Sequence, residues 1–404
     1  MTLCADLLFF VTNISLVKTL IAYVCEMRKG YLCLCIGSTI ITIFILYLSP
    51  QRNVEDYQKI SVASKVKSED ESTLLHSISQ PKIILMWTKV FGTTSLGIGG
   101  CPLEKRCQVT YDRSVLNSSD AVVFHLPDLK LNDLPPPPQN DGPVYIFMIQ
   151  ESASSAIKYH NLLSIPKNFF HWTSTILLES DAPFMYGYWV NPEEARRRGF
   201  QRKKDEVFWT VSHCVTQSKR EVAVAALAKH VNVDIIGKCS RNDTMKNLCP
   251  RSSSCDELFT SYYFYIAAEN SICKDYITEK YWTRYALPSV PIVMKRNIYE
   301  GWIPNGSFIA MDDFDSPKKL GDHIKSLIQN PREYLKYFEW RSKGWARVPW
   351  NHEGFRIGPC KICELLLRNS TSRKVVIPDV AKWFLDTSDC ENGEFALKWS
   401  KHER

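Results

Sequence analysis

Residues 263–280 read YFYIAAENSICKDYITEK, a short apolar run followed at once by a dense polar stretch. The apolar run, Tyr263 to Ala267, is typical of a β-strand, and the pattern from Tyr276 to Ala286 favours a helix. A strand-to-helix junction collects side chains and free backbone N–H groups at a helix start, where anions bind readily. Composition alone leaves an ordinary loop before a capped helix as an equal alternative.

The same alternation of strands and helices recurs along the chain. Further strand-like runs lie at 83–87, 121–124, 144–148, 207–211, 233–236, 290–294 and 307–311, and helical patterns lie at 218–230 and 318–328. Such alternation indicates parallel sheets covered by helices on both faces. A break near 195–206 divides the pattern into two units. We therefore predict an α/β fold of two Rossmann-like domains that face each other across a cleft, where the strands' carboxyl ends would bind ligand.

The N-terminal region predicts a membrane anchor. Residues 31–48 contain no charged side chain and are long enough to span a bilayer as a transmembrane helix. No small-residue cleavage site of a signal peptide follows them. Residues 1–30 are then a cytosolic tail, and residues 49–80, rich in Ser, Lys, Glu and Gln, are a flexible stem.

Cysteines and glycosylation signals place the remaining chain in an oxidising, lumenal compartment. Ten of the 14 cysteines lie beyond residue 100, an even set that favours disulfides. Zinc is the alternative, but only Cys360-Lys-Ile-Cys363 has zinc-ligand spacing, and it has no second half. Four N-glycosylation acceptors follow the anchor: Asn117, Asn242, Asn305 and Asn369. The chain is thus predicted to be a single-pass type II membrane protein.

Charge argues against a nucleic-acid partner. The net charge of +7 is spread along the chain, and the densest basic run, at 196–204, is short and flanked by acidic residues. A solvated loop explains such a run better than a nucleic-acid surface does.

The polar stretch strongly resembles the donor-binding motif of the α-1,3-fucosyltransferase family, F-x-L-x-F-E-N-S-x-x-x-D-Y-x-T-E-K-F-W. Ten positions match: Phe264, Glu269, Asn270, Ser271, Asp275, Tyr276, Thr278, Glu279, Lys280 and Trp282. Ala268 and Tyr281 stand where the family has Phe. We expect these two substitutions to affect side-chain packing more than the chemistry of the site.

The resemblance extends from about Ile84 to Cys363. Val211-Ser212-His213-Cys214, followed by Arg220, is similar to the family's V-S-N-C segment and its downstream Arg. Segments at 151–152, 179–187, 290–292, 311–314, 338–341 and 360–363 also match family motifs. Ala153 and Met185 replace prolines of the family pattern, and His213 replaces an asparagine.

The resemblance implies a GT-B type fold, with an acceptor-binding domain at 81–200, a GDP-fucose-binding domain at 201–370 and a C-terminal extension at 371–404. It implies transfer of L-fucose with inversion from GDP-β-L-fucose to N-acetylglucosamine of glycoprotein glycans. The general base would be Glu151, which follows the strand at 144–148, although a Glu in such a loop is ordinarily only solvated. The implied donor-binding residues are Arg220 and Lys280 on the phosphates, Tyr276 and Asn270 on nucleotide or fucose, Glu279 on a sugar hydroxyl, and Glu269 and Thr278 beside them.

The remaining expectations follow from the same resemblance. Asp313-Phe-Asp315 is similar to the D-x-D of metal-dependent glycosyltransferases, but it precedes Ser316-Pro317 and is interpreted as a helix start. No metal or other cofactor is expected to be required, and divalent cations are expected to stimulate at most. The expected partners are GDP-fucose, an N-glycan acceptor and the Golgi cisterna membrane. A catalytically silent lumenal sugar-binding relative is the alternative function, and the acceptor glycan, the disulfide pairing and the oligomeric state stay open.

Overall fold

The computed structural model describes residues 80–138, 142–187, 189–190, 203–250, 255–343, 346–347, 357–368 and 375–401. The predicted tail at 1–30, the transmembrane helix at 31–48, nearly all of the stem at 49–80, and Asn369 lie outside the described residues. Within the described ranges, no helix has both the length and the apolar character needed to cross a bilayer.

The first half of the described chain contains a five-stranded parallel sheet in the order β2-β1-β3-β4-β5. Its strands are β1 (Lys82–Met86), β2 (Cys107–Thr110), β3 (Ala121–His125), β4 (Val144–Ile149) and β5 (Trp172–Thr175). Every residue of β3 and β4 is buried, as expected for parallel strands covered on both faces. Helix α1 (Ala153–Tyr159) follows β4.

The second half contains another five-stranded parallel sheet, in the order β11-β10-β9-β7-β8. Its strands are β7 (Asp205–Thr210), β8 (Val233–Ile236), β9 (Tyr262–Ile266), β10 (Val290–Val293) and β11 (Ile309–Ala310). Two short strands, β6 (Trp189–Val190) and β12 (Ala346–Arg347), pair antiparallel. The predicted α/β class with parallel sheets is confirmed.

Helices surround these sheets. They are α2 (Arg220–Leu227), α3 (Asp243–Asn247), α4 (Asp256–Phe259), α5 (Glu279–Trp282), α6 (Arg296–Tyr299), α7 (Pro317–Gln329), α8 (Pro331–Lys336), α9 (Gly358–Leu367), α10 (Val380–Ser388) and α11 (Glu394–Trp399). Short 3₁₀ turns lie at Arg113–Ser118, Leu126–Asp128, Leu131–Asp133, Leu162–Ser164, Met311–Asp313 and Glu339–Lys343. Ser316 accepts from the Lys319 backbone N–H, so the predicted start of α7 is confirmed.

Three predicted elements differ from the structure. The helix expected at 276–286 is only the single turn α5: it begins later than expected, because Asp275 takes a left-handed φ of 59° and Thr278 caps the helix start, and it ends at Trp282. The strand expected at 307–311 shortens to β11, because a 3₁₀ turn begins at Met311. The helix expected at 218–230 is confined to α2, whose preceding residue Lys219 is also left-handed, with a φ of 54°.

Five disulfides link the ten cysteines of the described residues. The pairs are Cys101–Cys360, Cys107–Cys363, Cys214–Cys239, Cys249–Cys255 and Cys273–Cys390. Cys360 and Cys363 therefore join α9 to the first half of the chain and are not a zinc-ligand pair. The predicted disulfides are confirmed, and their pairing is now defined.

The C-terminal segment contacts both halves. Helix α10 packs against α1, and the Phe384 ring lies 5.8 Å from the Phe147 ring of β4. Helix α11 packs against α2, and the Trp399 indole N–H donates to the Phe314 carbonyl at 2.7 Å. Residues 380–399 thus run from the first sheet to the second, past the loop that follows β9.

Candidate active site

Glu151 lies two residues beyond β4 and is half-buried. The phenol of Tyr276, in the loop between β9 and α5, donates to Glu151 Oε2 at 3.1 Å. Tyr276 is only 2% exposed, and burial, together with the negative charge of Glu151, raises the pKa of its phenol well above the usual value. The phenol therefore stays protonated and keeps its hydrogen bond to the carboxylate. This contact joins residues 125 positions apart in the chain.

Further contacts fix the same junction. Buried Ser152 donates to Ser271 Oγ at 2.7 Å and also caps α1 by accepting from the Ser155 backbone N–H. Asp275 accepts from the Leu178 backbone N–H at 3.3 Å. The loop after β9 is thus held against the carboxyl end of the first sheet, next to Glu151.

Glu269, Thr278 and Lys280 form one hydrogen-bonded cluster. The Glu269 carboxylate is buried and accepts from the Thr278 backbone N–H at 2.8 Å and from Lys280 Nζ at 2.9 Å. Burial raises the pKa of Glu269, and Lys280 opposes that rise. Burial by itself would lower the pKa of Lys280, but Glu269 and Glu279 reverse this and raise it, so the ammonium group is charged. The Lys280 side chain is 23% exposed, so part of it still reaches solvent.

Arg220 begins α2 and is 3% exposed. Its guanidinium donates to two neutral carbonyls, those of Ala268 at 2.7 Å and His213 at 3.1 Å. The buried Nε has no hydrogen-bond partner among the described atoms. Burial lowers the pKa of Arg220, and nearby Glu269 opposes that effect. A buried cation held mainly by neutral acceptors is costly and suits a site for an anionic ligand.

Asn270 lies between these groups and is half-buried. Its backbone carbonyl accepts from the Ser218 N–H at 3.0 Å, and the Ser218 hydroxyl donates to the Glu269 carbonyl at 2.7 Å. The buried Asn270 Oδ1 has no hydrogen-bond partner in the part of the chain that the structure describes. The loops after β7 and β9 are therefore tied together, and an amide oxygen is left for a ligand.

A small, open hollow lies at the carboxyl ends of β9 and β10. Its lining residues are Glu269, Ser271, Ile272, Tyr276, Met294, Lys295, Ile298 and Tyr299. Of the residues predicted to bind the sugar donor, Glu269 and Tyr276 line the hollow. Lys280 and Thr278 do not line it, but both are hydrogen-bonded to Glu269. Sequence reasoning missed Lys295 and Tyr299, although their position just after the strand β10 was a usable signal.

A second cluster that the sequence analysis missed follows β1 and β3. His125, the last residue of β3, is fully buried, and its Nδ1 lies 2.7 Å from Asp128 Oδ2. Asp128 also accepts from the backbone N–H groups of Phe91 and Gly92, both at 2.8 Å. The Phe91 ring is 50% exposed and packs edge-on against His125. Because β3 and β4 are parallel, the cluster places the exposed Phe91 ring at the same sheet edge as Glu151.

The departures from the family motif lie in packed positions. Ala153, Met185, Ala268 and Tyr281 are all buried, so their side chains act on packing. A Cβ built on Gly187 would lie 2.4 Å from the Trp282 ring, so two of the sequence motifs meet without room for a side chain. His213 is exposed, and its carbonyl holds Arg220.

The other predicted sites have the following surroundings. Asn117, Asn242 and Asn305 are exposed. Asp313 pairs with Arg296, and Asp315 pairs with Lys319. Both carboxylates of the D-x-D segment are thus engaged by basic side chains.

Comparison with known proteins gives the family. Residues 79–187 match the model "Fucosyltransferase, N-terminal", and residues 200–383 match "Glycosyltransferase family 10 (fucosyltransferase) C-term". Alpha-(1,3)-fucosyltransferase fut-1 of Caenorhabditis elegans is 33% identical over 83% of this chain and 76% of its own length. The Homo sapiens enzyme 4-galactosyl-N-acetylglucosaminide 3-alpha-L-fucosyltransferase FUT5 is 32% identical over 75% of this chain and 79% of its own length.

A crystal structure of an alpha1,3-fucosyltransferase with GDP aligns with a TM-score of 0.50 at 16% identity, over 78% of this chain and 97% of that one. This likeness supports the two-sheet fold alone. The two family models span both sheets, and the nematode relative matches most of both chains. The chain therefore belongs to glycosyltransferase family 10, the fucosyltransferases, and is a glycosyltransferase enzyme.

Proposed function

We propose that this enzyme is an α-1,3-fucosyltransferase, which transfers L-fucose with inversion from GDP-β-L-fucose to N-acetylglucosamine of glycoprotein N-glycans. The observation that carries the proposal is the hydrogen bond from Tyr276 to Glu151. It holds a carboxylate of the first half against the loop that carries the cluster of Glu269, Thr278 and Lys280. An acceptor hydroxyl at this junction would have a base on one side and cations on the other. The names of the nematode and human relatives support the same linkage.

The reaction is a single displacement in this proposal. The acceptor oxygen forms a bond to the anomeric carbon of fucose, while the bond from that carbon to the β-phosphate oxygen breaks and its electron pair leaves with GDP. Glu151 accepts the proton of the attacking hydroxyl. Lys280 and Arg220 offset the charge that develops on the leaving diphosphate. Asn270 and Glu279 bind polar groups of the donor.

The proposed setting is the Golgi cisterna membrane, with a single-pass type II anchor and a lumenal catalytic part. Five disulfides support an oxidising compartment, and three of the four predicted glycosylation asparagines are exposed. We propose no metal requirement for the chemical step, with divalent cations stimulatory at most. The ion pairs of Asp313 and Asp315 support this part of the proposal.

The test uses the full-length enzyme in detergent micelles with labelled GDP-fucose and a panel of N-glycan acceptors. Glu151→Gln should lower turnover by about 100-fold or more, the usual scale for loss of a general base. Affinity for GDP should stay within about twofold, because Gln keeps an oxygen that accepts from Tyr276. The matched control is Glu333→Gln on the exposed surface of α8, which should behave as wild type. Near-wild-type turnover of Glu151→Gln would remove the base assignment, and a wild-type enzyme that transfers fucose to none of the acceptors would contradict the proposed function.

A further inference from the structure

We propose that Lys295 binds the diphosphate of the donor and exchanges its partner Glu391 for phosphate oxygens when the donor binds. This inference rests on the proposed GDP-fucose function and deepens it. Lys295 lies outside the ten motif positions by which the family was recognised.

The position of Lys295 follows from the sheet. It comes two residues after the end of β10, and β10 pairs in parallel with β9, with Ile292 opposite Ile266. The loops beyond both strands therefore leave the same edge of the sheet. Lys295 accordingly lines the hollow together with Glu269, Ser271 and Tyr276.

The two predicted phosphate-binding cations, Lys280 and Arg220, already have partners within the protein. Lys280 is held between Glu269, at 2.9 Å, and Glu279, at 3.4 Å. Two N–H groups of Arg220 donate to backbone carbonyls. A diphosphate that enters beside Glu269 therefore meets two cations that already have partners, together with the carboxylates of Glu269 and Glu279. Lys295 supplies a point charge on a flexible stem at the wall of the same hollow.

The resting partner of Lys295 is easily exchanged. Lys295 Nζ lies 3.2 Å from Glu391 Oε2, and the two side chains are 26% and 24% exposed. Ion pairs that solvent reaches are weak, so replacing carboxylate by phosphate oxygens costs little.

Glu391 is itself well anchored. Its backbone N–H donates to the Ile272 carbonyl at 2.7 Å, its side chain accepts from the Phe395 backbone N–H, and the neighbouring Cys390 is bonded to Cys273. The C-terminal segment therefore holds the ammonium group at the hollow until the donor arrives.

The experiment measures binding of GDP and of guanosine to the full-length enzyme by titration calorimetry. Lys295→Met removes the charge and keeps the apolar stem, and it should weaken GDP binding about tenfold or more, as expected for loss of a hydrogen bond to a charged group. Guanosine binding should stay within about twofold. Lys295→Arg should recover most of the GDP affinity. Glu391→Gln breaks the same ion pair but leaves the cation, so its GDP affinity should equal or exceed that of wild type.

The matched control is Lys318→Met, whose ammonium group forms an exposed pair with Asp322 on α7, and it should bind both ligands as wild type does. Melting temperatures of all variants identify any that are unfolded. If Lys295 served only to pair with Glu391, Lys295→Met and Glu391→Gln would change GDP affinity alike, which would overturn the inference. Equal losses for GDP and guanosine in Lys295→Met would overturn it too. A wild-type enzyme that binds no GDP would instead refute the proposed function.

Discussion

Glu269→Gln tests the cluster of Glu269, Thr278 and Lys280 most directly. The substitution keeps the size of the side chain and an oxygen that accepts from the Thr278 backbone N–H. It removes the negative charge that lies 2.9 Å from Lys280 Nζ. The Lys280 ammonium group is then left in a largely buried position with a weaker partner.

The expected loss of folding free energy follows from the surroundings of the Glu269–Lys280 pair. Breaking a buried ion pair by removal of one partner costs about 3–5 kcal/mol. Glu279 remains 3.4 Å from Lys280 Nζ, and the Lys280 side chain is 23% exposed, so we expect the lower end, about 3 kcal/mol. At roughly 2 °C per kcal/mol for a large domain, the melting temperature should fall by about 6 °C.

The measurement is differential scanning calorimetry of the full-length enzyme in detergent at neutral pH. Asp322→Asn serves as the control, because Asp322 pairs with Lys318 on the exposed face of α7 and such pairs contribute about 0–1 kcal/mol. A Glu269→Gln variant that melts within about 1 °C of this control would refute the argument that burial makes the Glu269–Lys280 pair important.

Gly187→Ala should destabilise the enzyme by about 1–3 kcal/mol in chemical denaturation, because the new methyl group would lie 2.4 Å from the Trp282 ring; unchanged stability would mean that this contact relaxes freely. Cys273→Ser combined with Cys390→Ser should cost about 2–5 kcal/mol by removing the link between the loop after β9 and the C-terminal segment, and a melting temperature equal to that of wild type would contradict this. Burial lowers the pKa of His125, and the bond to Asp128 opposes this. Because the unfolded chain binds that proton more readily, the His125 contribution to stability is present above the ordinary pKa of 6.5 and is lost as pH falls below it. His125→Gln should therefore show a shallower loss of unfolding free energy between about pH 7 and pH 5 than wild type, and an equally steep loss would exclude His125 as the cause.

Much of the fold could be predicted because buried parallel strands have continuous apolar runs in the amino-acid sequence. The residues of β3, β4 and β10 are buried throughout, and each was visible in the sequence. Strand β5 was not visible, since it reads Trp-Thr-Ser-Thr. Two of its three hydroxyl groups are hydrogen-bonded inside the protein, Thr173 to Asp181 at 3.0 Å and Thr175 to Ser180 at 2.6 Å, whereas the buried Ser174 hydroxyl has no partner among the described residues. Polar strands of this kind cannot be recognised before their partners are known.

The candidate site was predictable in its parts but not in its assembly. The spacing of Glu269, Tyr276 and Lys280 within one short segment identified the residues and their family. That Tyr276 donates to Glu151 depends on strand order and on the left-handed turn at Asp275. Lys295 lies just after β10 in the sequence, but only the parallel pairing of β10 with β9 shows that this position reaches the hollow.

The amino-acid sequence by itself determined the α/β class, the family and the chemical groups available to the site, because these depend on periodicity and on local spacing. The tertiary structure alone decided which cysteines pair, which carboxylate accepts from the loop after β9 and which cations already have partners. Several of these contacts join residues more than 100 positions apart, as in Cys273–Cys390 and Cys101–Cys360. Contacts over such distances are set by the order of strands and the packing of loops, which local patterns do not encode.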